Sequence, residues 1–319
     1  MQTRLNHVVF LLFFICASAF AGEPELYRLD AAHSVFGFSV KYLLLVNAEG
    51  RFNDVSAAIL FDSTDATKTS LTAVIKAASI NTGHEGRDED LRGEDFFEVE
   101  KFPSIIIQTK RIEKQENQYI AHCTFTMHGV AKEISVPFTY LGMQTDRHGN
   151  KRIAFEAKTT LNRMDYGIKG SEMSVDKDVH VNISILGFKP NLDSMRVTAR
   201  GKKSIGDLML STINSKGLDA ALEQYKDLKD VHPDTTYDFG VEQLNILSLK
   251  LTERGKTKEA IDVAKLNATA NPQASQAYFR LGYVYQKDGQ KKKAKEAYMK
   301  ALELDPFNAM AHEMMRWVE

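Results

Sequence analysis

The spacing of the apolar residues changes its period once along the 319-residue chain, and this change limits the possible folds more than any other feature. Between about residues 27 and 188 every second residue tends to be apolar, as in Ile134, Val136 and Phe138. From about residue 205 onwards the apolar residues instead recur at helical spacing. A period of two is typical of half-buried strands, and a period of about 3.6 is typical of amphipathic helices. The sequence therefore predicts a two-domain α+β chain, in which a β module is followed by an all-α module.

The first module, residues 22–190, is predicted to be an antiparallel β-barrel of about eight strands. Its strand candidates carry one apolar and one polar face, as where Val179 and Val181 alternate with His180 and Asn182. This alternation is typical of antiparallel sheets, and closing such a sheet into a barrel removes its unpaired edges. A barrel of that size is either filled by its own side chains or holds one small ligand. The alternation leaves both possibilities open.

The second module, residues 205–319, resembles the tetratricopeptide repeat (TPR). The positions that match the repeat are Tyr278, Leu281, Gly282, Tyr285, Ala294, Tyr298 and Pro306. The same skeleton, built from smaller residues, recurs about 34 residues earlier, which is the length of one repeat. Such arrays bury a continuous core between stacked helices and usually present a groove to another protein. The resemblance therefore implies a protein partner that binds in the TPR groove.

The resemblance also implies the order of the helices. The expected units are helical hairpins at about 205–238, 241–274 and 275–308 and a capping helix at 309–319. Residues 191–204 have no sustained apolar pattern and are predicted to be a linker between the modules.

The first 21 residues have the pattern of an export signal. Arg4 supplies a positive charge, and the apolar run at residues 8–15 is too short to cross a bilayer. Residues 19–21, Ala-Phe-Ala, have the small-x-small pattern of a signal-peptidase site. We expect cleavage after Ala21, a periplasmic or secreted mature protein, and no stable transmembrane segment. The alternative is an uncleaved membrane anchor, which the short apolar run disfavours.

Charge and motifs argue against several classes of function. A formal net charge of −1 gives no basis for binding nucleic acid, which calls for a strongly basic surface. The chain contains no Gly-x-Ser-x-Gly, no His-Glu-x-x-His and no phosphate-binding glycine loop. We therefore expect neither enzymatic activity nor a cofactor. The alternative is a hydrolase or metalloenzyme whose site assembles from His33, Asp88 and His128.

Cys123 is the cysteine that remains once the signal segment, with Cys16, is removed. It alternates with apolar residues in a strand-like run, and a single cysteine forms no internal disulfide. We expect a buried, unreactive thiol.

A charged segment, residues 82–97, interrupts the strand pattern and ends in two aromatic residues, Phe96 and Phe97. We expect a short helical connection across one end of the barrel, with its charged side towards water. The phenylalanines would then lie under the helix and cover or line the barrel interior. The alternative is that they form only the core of the loop.

Five stretches of the first module resemble the YceI-like family in order and spacing. They are LDAAHSVFGFSVKYL, EGRFNDVSAAILFD, ASINTGHEGRDEDLRGEDFFEVEKFPSI, TMHGVAKEISVPFTY and FEAKTTLNRMDYGI, within residues 25–188. The resemblance implies a lipocalin-like barrel, export from the cytoplasm, and a polyisoprenoid-type lipid or quinone as the ligand. The chain departs from the family pattern at Leu43, Leu44 and Leu45, where relatives tend to have a glycine-containing loop.

The resemblance also suggests which residues bind the ligand. The aromatic candidates for the lipid tail are Phe36, Phe38, Phe52, Phe96 and Phe97. The polar candidates for the head group are His33, Arg51, Arg87, Asp88 and His128, because an arginine can bind an anionic group through two parallel hydrogen bonds. Each polar residue has a structural alternative, for example an ion pair between Arg87 and Asp88. If the barrel is filled, the chain is instead a scaffold that acts through its TPR array.

Overall fold

The computed structural model describes residues 24–116, 118–195, 198–199, 201–231 and 236–318. The predicted signal segment, residues 1–21, lies outside the described residues, and so does part of the predicted linker. Across these described ranges, the helices are all too short or too polar to cross a bilayer.

Among the described residues, eleven antiparallel strands, one α-helix and four short 3-10 helices form the first module. The strands are β1 (Glu25–Leu29), β2 (Val35–Tyr42), β3 (Val46–Phe52), β4 (Val55–Phe61), β5 (Ser70–Lys76), β6 (Ile80–Asn81), β7 (Ser104–Gln115), β8 (Gln118–Met127), β9 (Val130–Thr145), β10 (Lys151–Asn162) and β11 (Val175–Lys189). Helix α1 (Glu85–Arg92) lies between β6 and β7 and is the predicted helical connection, which is thereby confirmed.

The sheet closes into a barrel of eight strands, as the alternating pattern predicts. The closed ring runs β1-β4-β5-β7-β8-β9-β10-β11, and β11 pairs back with β1. Strands β2, β3 and β6 extend the sheet from β11. Along β11, strand β2 pairs with residues 175–184 and β1 with residues 187–188, so β1 and β2 lie end to end.

The barrel core is built from the apolar positions of the alternating strands. Ile153 and Phe155 of β10 point inward and are buried in this core. The next residue, Glu156, points outward and is exposed. Aromatic rings fill much of the interior, and the ring of Phe155 lies 5.4 Å from that of Tyr140 and 6.0 Å from that of Phe138. Such ring pairs add to the stabilisation from buried area alone.

The second module is helical. Its helices are α2 (Ile205–Lys216), α3 (Leu218–Val231), α4 (Val241–Glu253), α5 (Thr257–Ala270), α6 (Ser275–Lys287), α7 (Lys291–Leu304) and α8 (Ala309–Met315). The short strands β12 (Lys203–Ser204) and β13 (Tyr237–Asp238) pair in parallel beside α2. Helices α6 and α7 approach closely because Gly282 has no side chain: a Cβ there would lie 2.5 Å from the ring of Tyr298.

The helical module is packed directly on the outside of the barrel. Strand β4 is buried on both faces: Ile59 points into the barrel core, and Leu60 belongs to the core of the helical module. Helix α8 supplies the main polar contact, because the buried carboxylate of Glu313 accepts hydrogen bonds from Ser70 Oγ and Thr72 Oγ1 of β5, both at 2.5 Å. The TPR-like array is therefore fixed to the barrel wall through these contacts.

The Glu313 contact predicts that one substitution weakens both modules. Glu313→Ala leaves the buried hydroxyls of Ser70 and Thr72 without their acceptor, and we expect the free energy of unfolding to fall by about 3 kcal/mol. Urea denaturation followed by circular dichroism measures the effect. The control is Glu303→Ala, which removes an exposed carboxylate paired with Lys300 and should change stability by less than about 0.5 kcal/mol. Equal stability of the two variants would contradict the assigned role.

Candidate functional site

The interior of the barrel contains two apolar cavities. The larger, called here the loop-side cavity, has a volume of about 140 Å³ and lies against Leu91, Phe96 and Phe97 of the segment that follows β6. The smaller has a volume of about 80 Å³ and lies between β7, β8, β10 and β11. Phe36 and Ile183 border both cavities. The core side chains therefore fill most of the barrel and leave two apolar spaces.

The five aromatic residues predicted to contact a lipid tail all line the loop-side cavity: Phe36, Phe38, Phe52, Phe96 and Phe97. The ring of Phe52 lies 5.8 Å from that of Phe38 and 5.7 Å, edge to face, from that of Phe97. This chain of rings joins the wall formed by β2 and β3 to the segment that covers the cavity. Phe96 and Phe97 thus cover one side of the cavity, as expected from the sequence.

The covering segment is held by hydrogen bonds at both of its ends. At the start, Asp88 is buried, and its Oδ1 accepts from the amide of Thr82 at 2.8 Å and from its hydroxyl at 2.5 Å. At the end, the amide of Gly170 donates to the carbonyl of Asp95 at 2.8 Å. Gly170 leaves room for Phe96, because a Cβ at position 170 would lie 2.7 Å from that ring.

The electrostatics of Asp88 favour its ionised form. Burial acts to raise the pKa of its carboxyl, but the hydrogen bonds from Thr82 and the positive charges of Arg92 and Arg87 outweigh burial. The pKa therefore lies below the usual value for aspartate. By linkage, the ionised carboxylate stabilises the fold above the unfolded-state value of about 3.9. This contribution is lost as the pH falls through the lower folded-state value.

The other polar candidates lie outside the cavity lining. His33 is exposed, and its Nδ1 lies 3.0 Å from Asp30, so it pairs with that residue rather than with Asp88. Arg87 is exposed on α1 and donates to Thr82 through both Nε and Nη2, instead of forming a buried pair with Asp88.

Arg51 and His128 also lie outside the lining of the loop-side cavity. Arg51 lies on β3 in an open, polar groove on the outer surface, together with His180 and Asn182. His128 occupies the tight turn between β8 and β9, and its Nδ1 lies 3.0 Å from the carbonyl oxygen of Tyr166. Ligand binding by these polar residues stays a prediction.

The structure does not assemble the alternative metal site. His33, Asp88 and His128 each have separate partners, and within the described ranges no three His, Cys, Asp or Glu side chains are grouped so as to hold a metal ion. The single described thiol, Cys123, borders the smaller cavity, and burial raises its pKa to about 11. The expectation of a buried thiol is confirmed, and its low reactivity stays a prediction that the raised pKa favours.

Arg163 is a site residue that the sequence analysis did not single out. It is buried beside the loop-side cavity and donates four hydrogen bonds to main-chain carbonyls of residues 168–176, at 2.8–2.9 Å. Burial lowers the pKa of its guanidinium. Arg163 thereby fixes the loop that contacts Phe96. Its only sequence signal is its place in the stretch LNRMDYGI, where an arginine follows a strand.

An apolar turn projects from the barrel next to the loop-side cavity. Leu44 and Leu45 connect β2 to β3 and are 75% and 77% exposed. The main chain of Leu44 is in the left-handed region, with a φ of 57°, which a leucine rarely adopts. The preceding strand β2 lines the cavity with Phe38 and Val40. The unusual leucines of the sequence therefore lie on the surface at the end of a strand that lines the cavity.

Comparison with known proteins shows which family this barrel belongs to. Residues 27–186, half of the chain, match the YceI-like domain family. The chain belongs to the YceI-like family. Residues 275–308 match the tetratricopeptide repeat family, as the spacing of the second module predicts. The family assignment and the closed barrel agree with the fold expected from the sequence.

The relatives described next each match between 51% and 59% of the chain. A UPF0312 protein of Yersinia enterocolitica is 28% identical over 190 residues, which is 59% of this chain and 97% of that protein. The YCEI protein of Campylobacter jejuni is 30% identical, with a TM-score of 0.44 over 51% of this chain and 97% of its own. A polyisoprenoid binding domain from Saccharophagus degradans is 18% identical, with a TM-score of 0.40 over 51% of this chain and 98% of its own.

The contacts of Asp88 predict how the covering segment of the YceI-like domain responds to substitution. Asp88→Ala removes the acceptor for Thr82, and we expect local opening of α1 to become easier by about 1–2 kcal/mol. Hydrogen exchange of the α1 amides at neutral pH measures this change. Glu89→Ala is the control, because it alters an exposed neighbour of Asp88. It should leave the exchange rates of the α1 amides unchanged, whereas Asp88→Ala should raise them. Equal exchange in the two variants would refute the role of Asp88.

Proposed function

We propose that the YceI-like barrel binds a long-chain isoprenoid-type lipid, such as a polyprenyl lipid or a quinone, in its loop-side cavity. The observation that supports this function is the character of the lining. Among the described residues around this cavity, Arg163 is the only charged one, and its guanidinium is bound to main-chain carbonyls. A space lined in this way favours hydrocarbon over polar ligands.

The energetics of hydrocarbon burial are sufficient for such a ligand. Each buried methylene contributes roughly 0.8 kcal/mol, so about ten of them contribute roughly 8 kcal/mol before the cost of ordering the chain. No polar anchor is needed for affinity. Polar groups near the entrance would instead select the head group, and Arg87 is available for this role because it is exposed on α1.

The volume of the cavity makes loading a conformational step. A space of about 140 Å³ is smaller than the roughly 300–1,000 Å³ of typical ligand pockets, so a long chain must displace part of the lining. Phe96 and Phe97 are the side chains best placed to move, because they belong to a loop and not to a barrel strand. Movement of the segment 82–97 would thus open the cavity for loading and release.

The helical module would supply the second half of the function. We propose that its TPR groove binds a protein partner and that the chain carries or sequesters lipid without catalysing a reaction. The contact between Glu313 and β5 fixes the helices to the barrel, so a bound partner would be held at a defined position relative to the lipid. If the barrel takes up no lipid, the scaffold function is the one that remains.

Uptake of a fluorescent prenyl lipid by the purified full-length protein tests the proposal. Val179→Phe fills the loop-side cavity from β11, and we expect affinity for the probe to fall at least about tenfold, because the lost hydrocarbon burial exceeds about 1.4 kcal/mol. Phe97→Ala removes part of the cover and should speed uptake. Stopped-flow and equilibrium fluorescence measure the two effects.

The matched control is His180→Phe, which adds a similar ring on the outer face of the same strand. It should bind the probe like the unmodified protein. Absence of uptake by the unmodified protein, or equal loss in both β11 variants, would refute the barrel cavity as a lipid site. Lipid extraction followed by mass spectrometry identifies any ligand retained from the native source.

Export to the periplasm or the medium is part of the proposed function. Expression of the gene in a Gram-negative host should give a mature protein that begins at Gly22, the residue that directly follows the predicted cleavage site. Fractionation followed by N-terminal sequencing checks this. Ala21→Arg places a large charge at the cleavage site and should leave a longer, membrane-bound form. A full-length protein in the cytoplasm would contradict export.

A further inference from the structure

A third cavity lies between the two modules and shares no lining residue with the barrel interior. This inter-module cavity has a volume of about 500 Å³, within the range of roughly 300–1,000 Å³ that is typical of ligand sites. Its barrel side is formed by the strands that close the barrel, β1 and the end of β11, and includes Phe188. Its helical side is formed by α4 and α6 and includes Leu249 and Phe279.

Arg280 of α6 lines this cavity and has no hydrogen-bond partner in the part of the chain that the structure describes. Its Nε is shielded from solvent, and no hydrogen-bond acceptor reaches that atom. The guanidinium lies 5.7 Å from the ring centre of Phe279 and 5.4 Å from that of Tyr283. Among the described residues, no carboxylate lies within ion-pairing distance of it. Glu242 and Glu253, which also line the cavity, act on it only at longer range.

The basic residues on the barrel side of this cavity do have partners. Lys189 donates to Glu25 at 2.7 Å, and Arg28 lies over the ring of Phe188 at 5.0 Å. Arg280 is half-buried with its Nε shielded from solvent, and it differs from them in having no bonded anion among the described residues. Burial also lowers the pKa of its guanidinium. A partly desolvated cation without a bonded anion destabilises a folded protein, and an anion that binds there relieves this penalty.

We propose that the inter-module cavity is a second binding site, which takes a small amphiphilic oxyanion. The carboxylate or phosphate group of the ligand bonds to Arg280, whose planar guanidinium suits two parallel hydrogen bonds. The apolar part of the ligand lies against Leu249, Phe279 and Phe188. Because both modules form its walls, the bound ligand also strengthens their contact. This site is independent of the lipid proposed for the barrel.

The test uses the full-length mature protein with decanoate and decyl phosphate as probes, measured by isothermal titration calorimetry. We expect one of the two to bind at a single site and Arg280→Met to weaken that binding at least about tenfold, the usual effect of losing a charge-assisted hydrogen bond. The stronger probe tells whether the site prefers a carboxylate or a phosphate. Arg254→Met is the matched control, because Arg254 is on the surface near Asp193 and outside the cavity, and it should bind normally.

Three results of the binding experiments would overturn the proposal. Binding that survives Arg280→Met but is lost in Val179→Phe would assign the probe to the barrel interior. An extended peptide with a free carboxyl end that binds more tightly than either probe, and also depends on Arg280, would make the cavity part of an open peptide groove. Failure of both probes to bind would likewise remove the site, whatever the outcome of the prenyl-lipid experiment.

The thermal stability of the ligand-free variants gives a second readout. Arg280→Met keeps the length of the side chain and removes the uncompensated charge, so we expect Tm to rise by about 2 °C or more while binding is lost. An arginine that only supports the fold would show the opposite change. A lower Tm with unchanged affinity for the probes would therefore overturn the proposal.

Discussion

Closure of the barrel at the seam between β1 and β11 is the constraint on which the barrel interior and the inter-module cavity both depend. The seam is short, and Arg28 and Phe188 form one of its residue pairs. Gly187 lies at this seam, and its lack of a side chain leaves room for a core residue of β10: a Cβ there would lie 2.7 Å from the side chain of Ile153. Glu25 secures the start of β1. Burial acts to raise the pKa of its carboxyl, but hydrogen bonds from lysines of β10 and β11 lower it to about 2. The closed seam encloses the apolar interior, and its outer side forms a wall of the inter-module cavity.

The inner and outer faces of the barrel wall therefore make different contacts. The inner face is apolar and encloses the space that we assign to a lipid tail. The outer face is polar around much of the ring, but at β4 and β5 it is covered by α8 and bonded to Glu313. This arrangement turns a barrel and a repeat array into one packed unit. It also brings Arg280, a residue of the helices, to a cavity whose opposite wall belongs to the barrel.

Periodicity in the sequence predicts most of this architecture, because local alternation reports which side of an element is buried. The closed antiparallel barrel follows from it, whereas the helix of the charged segment and the cover formed by Phe96 and Phe97 are expected from the charged and aromatic composition of residues 82–97. What it does not predict depends on contacts between distant residues. The apolar run from Ala57 to Phe61 breaks the alternation because both faces of β4 are buried, and only the fold reveals the second face. Likewise, the bonds of Arg163 and the isolation of Arg280 come from neighbours that no local pattern encodes.

The contact between β5 and α8 joins residues that are 241 positions apart, and this distance matters while the chain is being made. The ribosome delivers the barrel strands long before the helix that covers them. During that interval Leu60 and the hydroxyls of β5 are open to water and to other chains. A polypeptide that stops short of α8 keeps this surface uncovered, and uncovered apolar surface makes a chain prone to aggregation. Helix α8 thus covers the outer face of β4 and β5 only after the whole barrel has been synthesised.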